Sequence, residues 1–313
     1  MTITVLFGAG ADLWQDYHAA LDAAFAGAGL DVDLGMEADP ATVEYIVYAP
    51  GSPLTDFTPY TRCKAVLNLW AGVERITGNP TLTQPLCRMV DPAMTESMVE
   101  WVTAHVLRLH LGIDAHILGQ DGIWRHEPSS PVKIARERPV AILGFGELGQ
   151  ACGRALMALG FPVTGWSRSP TELAGARCLS GAGALDAALS GAEAVVLLLP
   201  STPETANILN ARTLALLAPG AFVINPGRGP LIDDAALLSA LDRGQVAQAT
   251  LDVFRTEPLP PDHPFWAHPK VTVTPHIAAT TRPVTASRVI AENVRRGEAG
   301  EPFLHLVDRK RGY

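Results

Sequence analysis

The stretch Pro139-Val140-Ala141-Ile142-Leu143-Gly144-Phe145-Gly146-Glu147-Leu148-Gly149 constrains the fold more than any other part of the chain. An apolar run reads as a buried strand, and three glycines follow at the spacing GxGxxG. The sequence then continues as helix-like QACGRALMALG. A strand that turns through such a loop into a helix opens a βαβ unit, which requires a parallel sheet covered by helices. Gly144 suits the tight turn, Gly146 lets backbone approach a pyrophosphate, and Gly149 permits close packing of helix on strand. The loop enters its helix through Glu147 and Leu148, where unpaired N–H groups and the positive dipole end favour an anion.

The same alternation runs along the whole chain. Ile3 to Phe7, Val32 to Leu34, Tyr45 to Tyr48 and Ala65 to Leu69 read as strands, with a helical pattern over Leu13 to Ala26. From Thr95 to about His116 the apolar stripe Val99, Val102, Val106 and Leu109 predicts one long helix. A polar, Pro-containing arm, Gly119 to Arg138, precedes the strand of the glycine motif. Further strands are expected at Pro162 to Trp166, Ala194 to Leu199, Ala221 to Asn225, Gln248 to Val253 and Val271 to Thr274. Helices are expected at Gln150 to Leu159, Asp233 to Arg243 and Thr285 to Arg296. The expected fold is two α/β domains: a Rossmann-type doubly wound sheet over residues 100–280, and a smaller domain built from 1–99 with 281–313.

A length of 313 residues, 48% hydrophobic and 18% charged, is ordinary for a globular enzyme. A net charge of -8 argues against a nucleic-acid binder, which would carry a basic face. No apolar run is long enough to span a membrane, and MTITVLFGAG lacks the pattern of a signal peptide. Cys63, Cys87, Cys152 and Cys178 form no CxxC pair and read as reduced thiols, although spacing alone leaves a disulfide open. Together these features lead us to expect a cytoplasmic protein with no metal centre, no nucleic-acid partner and no membrane partner.

The end of the strand after the glycine motif reports on the dinucleotide. An NAD site usually places Asp or Glu there, on the ribose hydroxyls. This chain has Ser167-Arg168-Ser169 instead, a cation and two hydroxyls suited to the extra phosphate of NADP. NADP(H) is therefore favoured and NAD(H) remains possible, the other reading of Arg168 being a solvent-facing turn residue. Three further residues follow strand candidates: Arg228 in NPGRGP, Glu257 in LDVFRTEPLP and His276 in VTPHIAATTRP. A cation, a carboxylate and an imidazole at the ligand edge of such a sheet can bind a keto acid and protonate the oxygen that gains charge.

With these segments in view, the chain resembles the D-isomer-specific 2-hydroxyacid dehydrogenase family, especially its glyoxylate/hydroxypyruvate reductase branch. The resemblance rests on LWAGVE, GFGELG, LLLPSTPETANILN, NPGRGPLIDDAALLSAL, LDVFRTEPLP, VTPHIAATTRP and VDRKRGY. It implies NADPH-dependent reduction of small 2-keto acids, glyoxylate to glycolate and hydroxypyruvate to D-glycerate. His276 would be the proton donor, Glu257 its partner, and Arg228 the residue that binds the keto oxygen and a carboxylate oxygen. It also implies a flavodoxin-like substrate domain, a cleft that closes about a hinge, and a homodimer using the long helix and the 119–138 arm. The substrate carboxylate would sit on backbone N–H groups at Trp70-Ala71-Gly72, with Trp70 either a pocket wall or a packing residue. Asp252 would meet the nicotinamide carboxamide or else merely cap its strand, and Pro200, Thr205, Pro226 and Val102 are further cofactor contacts. Arg282 belongs to the substrate pocket or to the surface, and Tyr48 and Ala49 could line the substrate wall. Two other readings stay open: a reductase of a larger 2-keto acid, and a non-catalytic NADP(H)-sensing interaction protein.

Overall fold

The structure is a computed structural model that describes residues 2–124 and 133–309. In chain order its strands are β1 (Ile3–Phe7), β2 (Val32–Gly35), β3 (Tyr45–Tyr48), β4 (Ala65–Asn68), β5 (Leu86–Cys87) and β6 (Val140–Leu143). They continue as β7 (Val163–Ser167), β8 (Arg177–Ser180), β9 (Ala194–Leu197), β10 (Ala221–Asn225), β11 (Val246–Leu251) and β12 (Val271–Val273). The helices are α1 (Ala11–Gly27), α2 (Pro92–His110), α3 (Ile113–Leu118), α4 (Glu147–Ala158) and α5 (Leu185–Leu189). After these come α6 (Ala211–Leu214), α7 (Asp234–Asp242), α8 (Pro264–Ala267) and α9 (Pro283–Ala299). Two compact units divide the chain: Met1–Thr95 with Thr280–Tyr313, and Glu96–Ala279.

The first unit is a five-stranded sheet in the order β2-β1-β3-β4-β5, and every pairing is parallel. Every residue of Tyr-Ile-Val-Tyr in β3 and Ala-Val-Leu-Asn in β4 is buried, as expected of parallel strands covered on both faces. Side chains alternate between those faces. Val5, Phe7, Tyr45 and Leu67 pack with Tyr17, Leu21 and Phe25 of α1 and with Ile290 and Val294 of α9. Leu6, Ile46 and Val66 pack on the opposite side with Phe57 and Leu86. Each large apolar side chain buried in this way contributes roughly 1.5–3 kcal/mol.

The second unit is a seven-stranded sheet, also parallel throughout, in the order β12-β11-β10-β9-β6-β7-β8. The chain winds outward in one direction from β6 through β7 to β8, and in the other from β9 to β12. The β6/β9 boundary is therefore a switch point, where open sheets of this kind form a ligand crevice beyond the carboxyl ends of the strands. Helix α4 leaves β6 at that point.

The single helix expected from Thr95 to His116 is corrected to two. Helix α2 ends at His110, and Gly112 adopts φ 63° before α3 begins. An α-helix cannot run through a left-handed residue, and the apolar stripe alone does not reveal the interruption. Two strands carry little sequence signal: β5 is two residues long, and β8 reads Arg-Cys-Leu-Ser at a partly exposed sheet edge. Residues 125–132 of the arm, and the end of VDRKRGY from residue 310 to Tyr313, lie outside the described residues. Among the described residues no helix is long and apolar enough to cross a membrane. All four cysteines are free thiols.

Candidate active site

One row of backbone runs across three adjacent strands of the larger unit, where Asn225 of β10 pairs with Leu251 of β11, which pairs with Val273 of β12. Because the strands are parallel, the segments carrying Arg228, Asp252, Glu257 and His276 all leave the sheet at its carboxyl edge. The sequence separates these residues by as much as 48 positions; the sheet register gathers their loops.

His276 and Glu257 meet directly, with Nδ1 of the imidazole 2.8 Å from Oε2 of the carboxylate. The other carboxylate oxygen, Oε1, accepts the Phe254 N–H at 2.9 Å. Glu257 is thus fixed by backbone at one oxygen and presents the second to the ring. With Nδ1 occupied by the carboxylate, Nε2 is the ring nitrogen left for a substrate, and the tautomer is set accordingly. The histidine is 52% exposed and Glu257 31%, so the dyad is open to a small molecule. The Glu257 loop is pinned by Arg255, which donates to the Asn207 side chain and to the Ile232 carbonyl and faces Asp234 at 3.6 Å.

Arg228 follows β10 through Pro226 and Gly227 and is half-buried in extended backbone. Its Nη1 donates to the Gly227 carbonyl at 2.7 Å. Buried Asn225 shapes this loop, accepting the Gly227 N–H at 3.1 Å and donating to the Arg228 carbonyl at 3.0 Å. At Gly229 a Cβ would fall 2.0 Å from the Phe254 carbonyl carbon, so the Arg228 loop lies directly on the backbone that holds Glu257.

Asp252 is fully buried. Its carboxylate accepts from the Thr274 hydroxyl at 2.6 Å, the Ile277 N–H at 2.9 Å and the Ala278 N–H at 2.8 Å. Asp252, Asn225 and the Phe254 N–H are therefore building elements of the site. Neither Asn225 nor the Phe254 N–H stands out in the sequence; a polar residue ending an apolar strand is the signal that could have marked Asn225.

The glycine loop fits a dinucleotide phosphate. Gly144 and Phe145 both donate to the Trp166 carbonyl, at 2.8 and 3.0 Å, which ties the loop to β7. A Cβ on Gly149 would lie 2.1 Å from the Gly144 carbonyl oxygen, so helix and loop touch there as backbone. Gly146, the N-cap of α4, is different: a Cβ there meets nothing within 4 Å, and no side chain caps the helix. The first N–H groups of α4, from Glu147 and Leu148 onward, thus have no side-chain cap and open space beside Gly146, where an anion fits.

Ser167 closes β7, and its hydroxyl donates to the Ser169 carbonyl at 2.6 Å and lies 3.3 Å from the Thr171 hydroxyl. Thr171 carries no signal of its own in the sequence. Arg168 and Ser169 are exposed. The Glu204 carboxyl sits below its ordinary range through its own backbone N–H, the Thr202 hydroxyl and, to a lesser degree, the Arg168 charge. Arg168 therefore lies close to the 200–205 loop. That loop is closed by Thr205, whose hydroxyl donates to the Pro200 carbonyl at 2.7 Å and accepts the Thr202 N–H at 2.9 Å. Val102 is fully buried in the core under β6.

In the smaller unit, Trp70, Ala71 and Gly72 follow the carboxyl end of β4. Buried Asn68 donates to the Trp70 carbonyl at 2.7 Å and to the Gly72 carbonyl at 3.0 Å. A trans peptide holds N–H and C=O antiparallel, so the Ala71 and Val73 N–H groups point away from Asn68. Trp70 is 41% exposed, whereas Tyr48 and Ala49 are buried. Arg282 is exposed at the N-cap of α9.

A sheet with a dinucleotide-type glycine loop and a His/Glu pair at the same edge defines a nicotinamide-type dehydrogenase architecture. Residues 103–278 match the family pattern described as D-isomer specific 2-hydroxyacid dehydrogenase, NAD binding domain. The glyoxylate/hydroxypyruvate reductase A of Serratia proteamaculans is 44% identical over 260 residues, 80% of this chain and 82% of that relative. Among solved structures, a D-isomer specific 2-hydroxyacid dehydrogenase from Xanthobacter autotrophicus Py2, in complex with NADPH and MES, superposes with TM-score 0.89. It is 41% identical over 99% of each chain. An NADPH-dependent glyoxylate/hydroxypyruvate reductase from Sinorhizobium meliloti, in complex with NADP and sulfate, gives TM-score 0.85 at 35% identity over 100% of this chain and 99% of its own. The chain belongs to the D-isomer specific 2-hydroxyacid dehydrogenase family.

Proposed function

We propose that this protein is an NADPH-dependent reductase of small 2-keto acids, with glyoxylate and hydroxypyruvate as its substrates. The observation that carries the reading is the His276–Glu257 pair, oriented by backbone at the carboxyl edge of a sheet whose glycine loop fits a pyrophosphate. The relatives named glyoxylate/hydroxypyruvate reductase support the substrate class, and the neighbours solved with NADPH or NADP support the cofactor.

NADPH, when bound, supplies the hydride that reaches C2 of the keto acid. The rest is the work of this chain. His276 gives its Nε2 proton to the C2 oxygen as negative charge develops there, so the 2-keto group leaves as a 2-hydroxyl. Glu257 accepts from Nδ1 and stabilises the protonated ring before transfer. The Arg228 guanidinium binds the keto oxygen and a carboxylate oxygen, polarising the carbonyl. The N–H groups of the Trp70-Ala71-Gly72 segment take the substrate carboxylate, with those of Ala71 and Val73 best oriented. The N–H groups at Gly146, Glu147 and Leu148 would hold the pyrophosphate, and Ser167, Arg168 and Ser169 would hold the 2′-phosphate. Pro200, Thr205, Pro226 and Asp252 would border the cofactor. In this reading Glu96–Ala279 is the NADPH-binding unit and the other unit carries the substrate loop. The protein acts in the cytoplasm as a homodimer, a proposal supported by exposed Leu111, Ile117, Leu118, Ile123 and Trp124 on α3 and its flanks.

The test is a panel of 2-keto acids, from glyoxylate to phenylpyruvate, assayed for oxidation of NADPH and of NADH side by side. Fast turnover of glyoxylate and hydroxypyruvate with NADPH is expected. Turnover confined to the bulky acids would replace the substrate assignment, and no turnover at all would remove the enzymatic reading. His276→Ala should lower kcat by about 10²–10⁴-fold while still binding NADPH.

A further inference from the structure

His276 has a backbone that its side chain disfavours. Its φ is 56°, in the left-handed region, shared by only two other non-glycine residues among those described, Asn207 and His305. A residue with a Cβ stays there only when its surroundings impose it. What surrounds His276 is Asp252. The His276 N–H donates to the Asp252 main-chain carbonyl at 2.8 Å and to Thr274 O at 3.1 Å. On either side of it, the Thr274 hydroxyl, the Ile277 N–H and the Ala278 N–H all converge on the Asp252 carboxylate. Both polar ends of one buried residue therefore hold the turn that carries the imidazole.

Such a carboxylate is costly to bury, and its hydrogen bonds here all come from that turn. The turn fills three of about four acceptor positions, so most of the carboxylate serves it and one position is left for a cofactor amide. We propose that Asp252 is a positioning residue for His276: it locks the 274–278 turn in the conformation that sets the imidazole on Glu257. The proposal goes beyond a nicotinamide contact, and it rests on the reading of His276 as the proton donor. The role is conformational, so its mark is the state of the His276–Glu257 pair, with turnover following from it.

The test compares Asp252→Asn and Thr274→Val in the full chain, each alone and in a His276→Ala background. Asn keeps one acceptor oxygen but turns an amide NH₂ toward a donor, so at least one of the three bonds is lost. Thr274→Val removes only the 2.6 Å bond. One readout needs no substrate or cofactor: the proton between Nδ1 and Glu257, sought by NMR downfield of the amide envelope and identified by its loss in Glu257→Gln. In folded Asp252→Asn this resonance should vanish into exchange with water, and in Thr274→Val it should shift or broaden. Turnover of glyoxylate should fall about 10²-fold in Asp252→Asn, the scale expected for a catalytic group displaced by about 1 Å, and by a smaller factor in Thr274→Val. In Thr274→Val the NADPH Kd should stay within about twofold of wild type, and that change should not lower the residual rate of His276→Ala further.

An unshifted resonance in either folded variant would overturn the proposal. So would an equal loss of rate from Thr274→Val in both backgrounds, or a rise of about tenfold or more in its NADPH Kd, which would make the turn a cofactor contact and not a support for the imidazole. If Asp252→Asn does not fold, Thr274→Val decides alone. A wild-type protein with the resonance but without reductase activity would refute the proposed function and leave the positioning role standing on its NMR result.

Discussion

Alanine at Gly146 and at Gly149 should separate a glycine that serves a ligand from one that serves the fold. At Gly149 the added Cβ would lie 2.1 Å from the Gly144 carbonyl oxygen and 3.0 Å from its carbon, so backbone must move. Forced contacts of this kind cost about 1–3 kcal/mol. For a chain of this size that corresponds to a melting temperature lowered by roughly 1.5–5 °C. At Gly146 the Cβ meets nothing within 4 Å, and φ -78°, ψ -151° is open to alanine. The substitution there should leave the unliganded protein as stable as wild type or slightly more so. It would, however, place a methyl group where a pyrophosphate approaches the first N–H groups of α4. Loss of one hydrogen bond to a charged group, about 1.5–3 kcal/mol, weakens binding roughly 10- to 150-fold. Thermal unfolding without cofactor gives the first quantity and calorimetric titration with NADPH the second. Gly146→Ala binding NADPH within about threefold of wild type would refute the phosphate loop, and equal destabilisation by both alanines would refute the distinction between them.

Three further outcomes are expected. Arg168→Ala should raise the NADPH KM by about 10- to 100-fold and leave that for NADH nearly unchanged, because only NADPH carries the phosphate the guanidinium would bind; parallel loss with both cofactors contradicts this. Glu298 titrates below its ordinary 4.5: burial pushes it up, but hydrogen bonds from Lys64 and Tyr45 and the Lys64 charge outweigh that. A depressed folded pKa contributes stability that is present above the unfolded value and lost as pH falls through the folded one, so Glu298→Gln should cost about 1 kcal/mol near neutrality and progressively less below pH about 4. Thermal melts across that range that kept a constant gap between the two proteins would contradict it. Burial pushes the thiols of Cys63, Cys87 and Cys152 up to about 12 each, which leaves a thiolate fraction of roughly 10⁻⁴ at pH 8. A thiol-exchange titration of the native protein should therefore register Cys178 at most, with all four reacting after denaturation.

Much of this fold is written locally in the chain. The runs ITVLF, YIVY, VAIL and AFVIN each become strands buried wholly or nearly so, because only β-branched and other apolar residues in sequence suit a strand covered on both faces. GFGELG joins strand to helix as its spacing demands, its last three residues opening α4. Where the sequence misled, the deciding contact was not local in pattern. Helix-like composition continues past the point where Gly112 turns left-handed, and β8 is recruited at an exposed edge by pairing with β7. The His276–Glu257 pair was legible because its chemistry is unusual at strand ends. Its supports, the Phe254 N–H and the buried Asn225 side chain, were not, because a backbone donor has no letter of its own and an asparagine after an apolar strand reads as the start of a turn.

The three loops that carry the candidate chemistry are built by one device. Asn68 ends β4 and holds the Trp70 and Gly72 carbonyls; Asn225 ends β10 and bridges Gly227 to Arg228; Asp252 follows β11 and gathers residues 274 to 278. All three are buried polar residues at the carboxyl edge of a parallel sheet. A strand that ends in an apolar side chain would leave the backbone groups of the following loop to water, and the loop would sample several conformations. A buried amide or carboxylate instead requires partners, and loop backbone is the nearest source. The desolvation that makes such a group costly when unpaired is what makes the loop rigid when paired. Side chains on such loops can vary without loosening the frame, because Asn225 and Asp252 hold the backbone that carries Arg228 and His276.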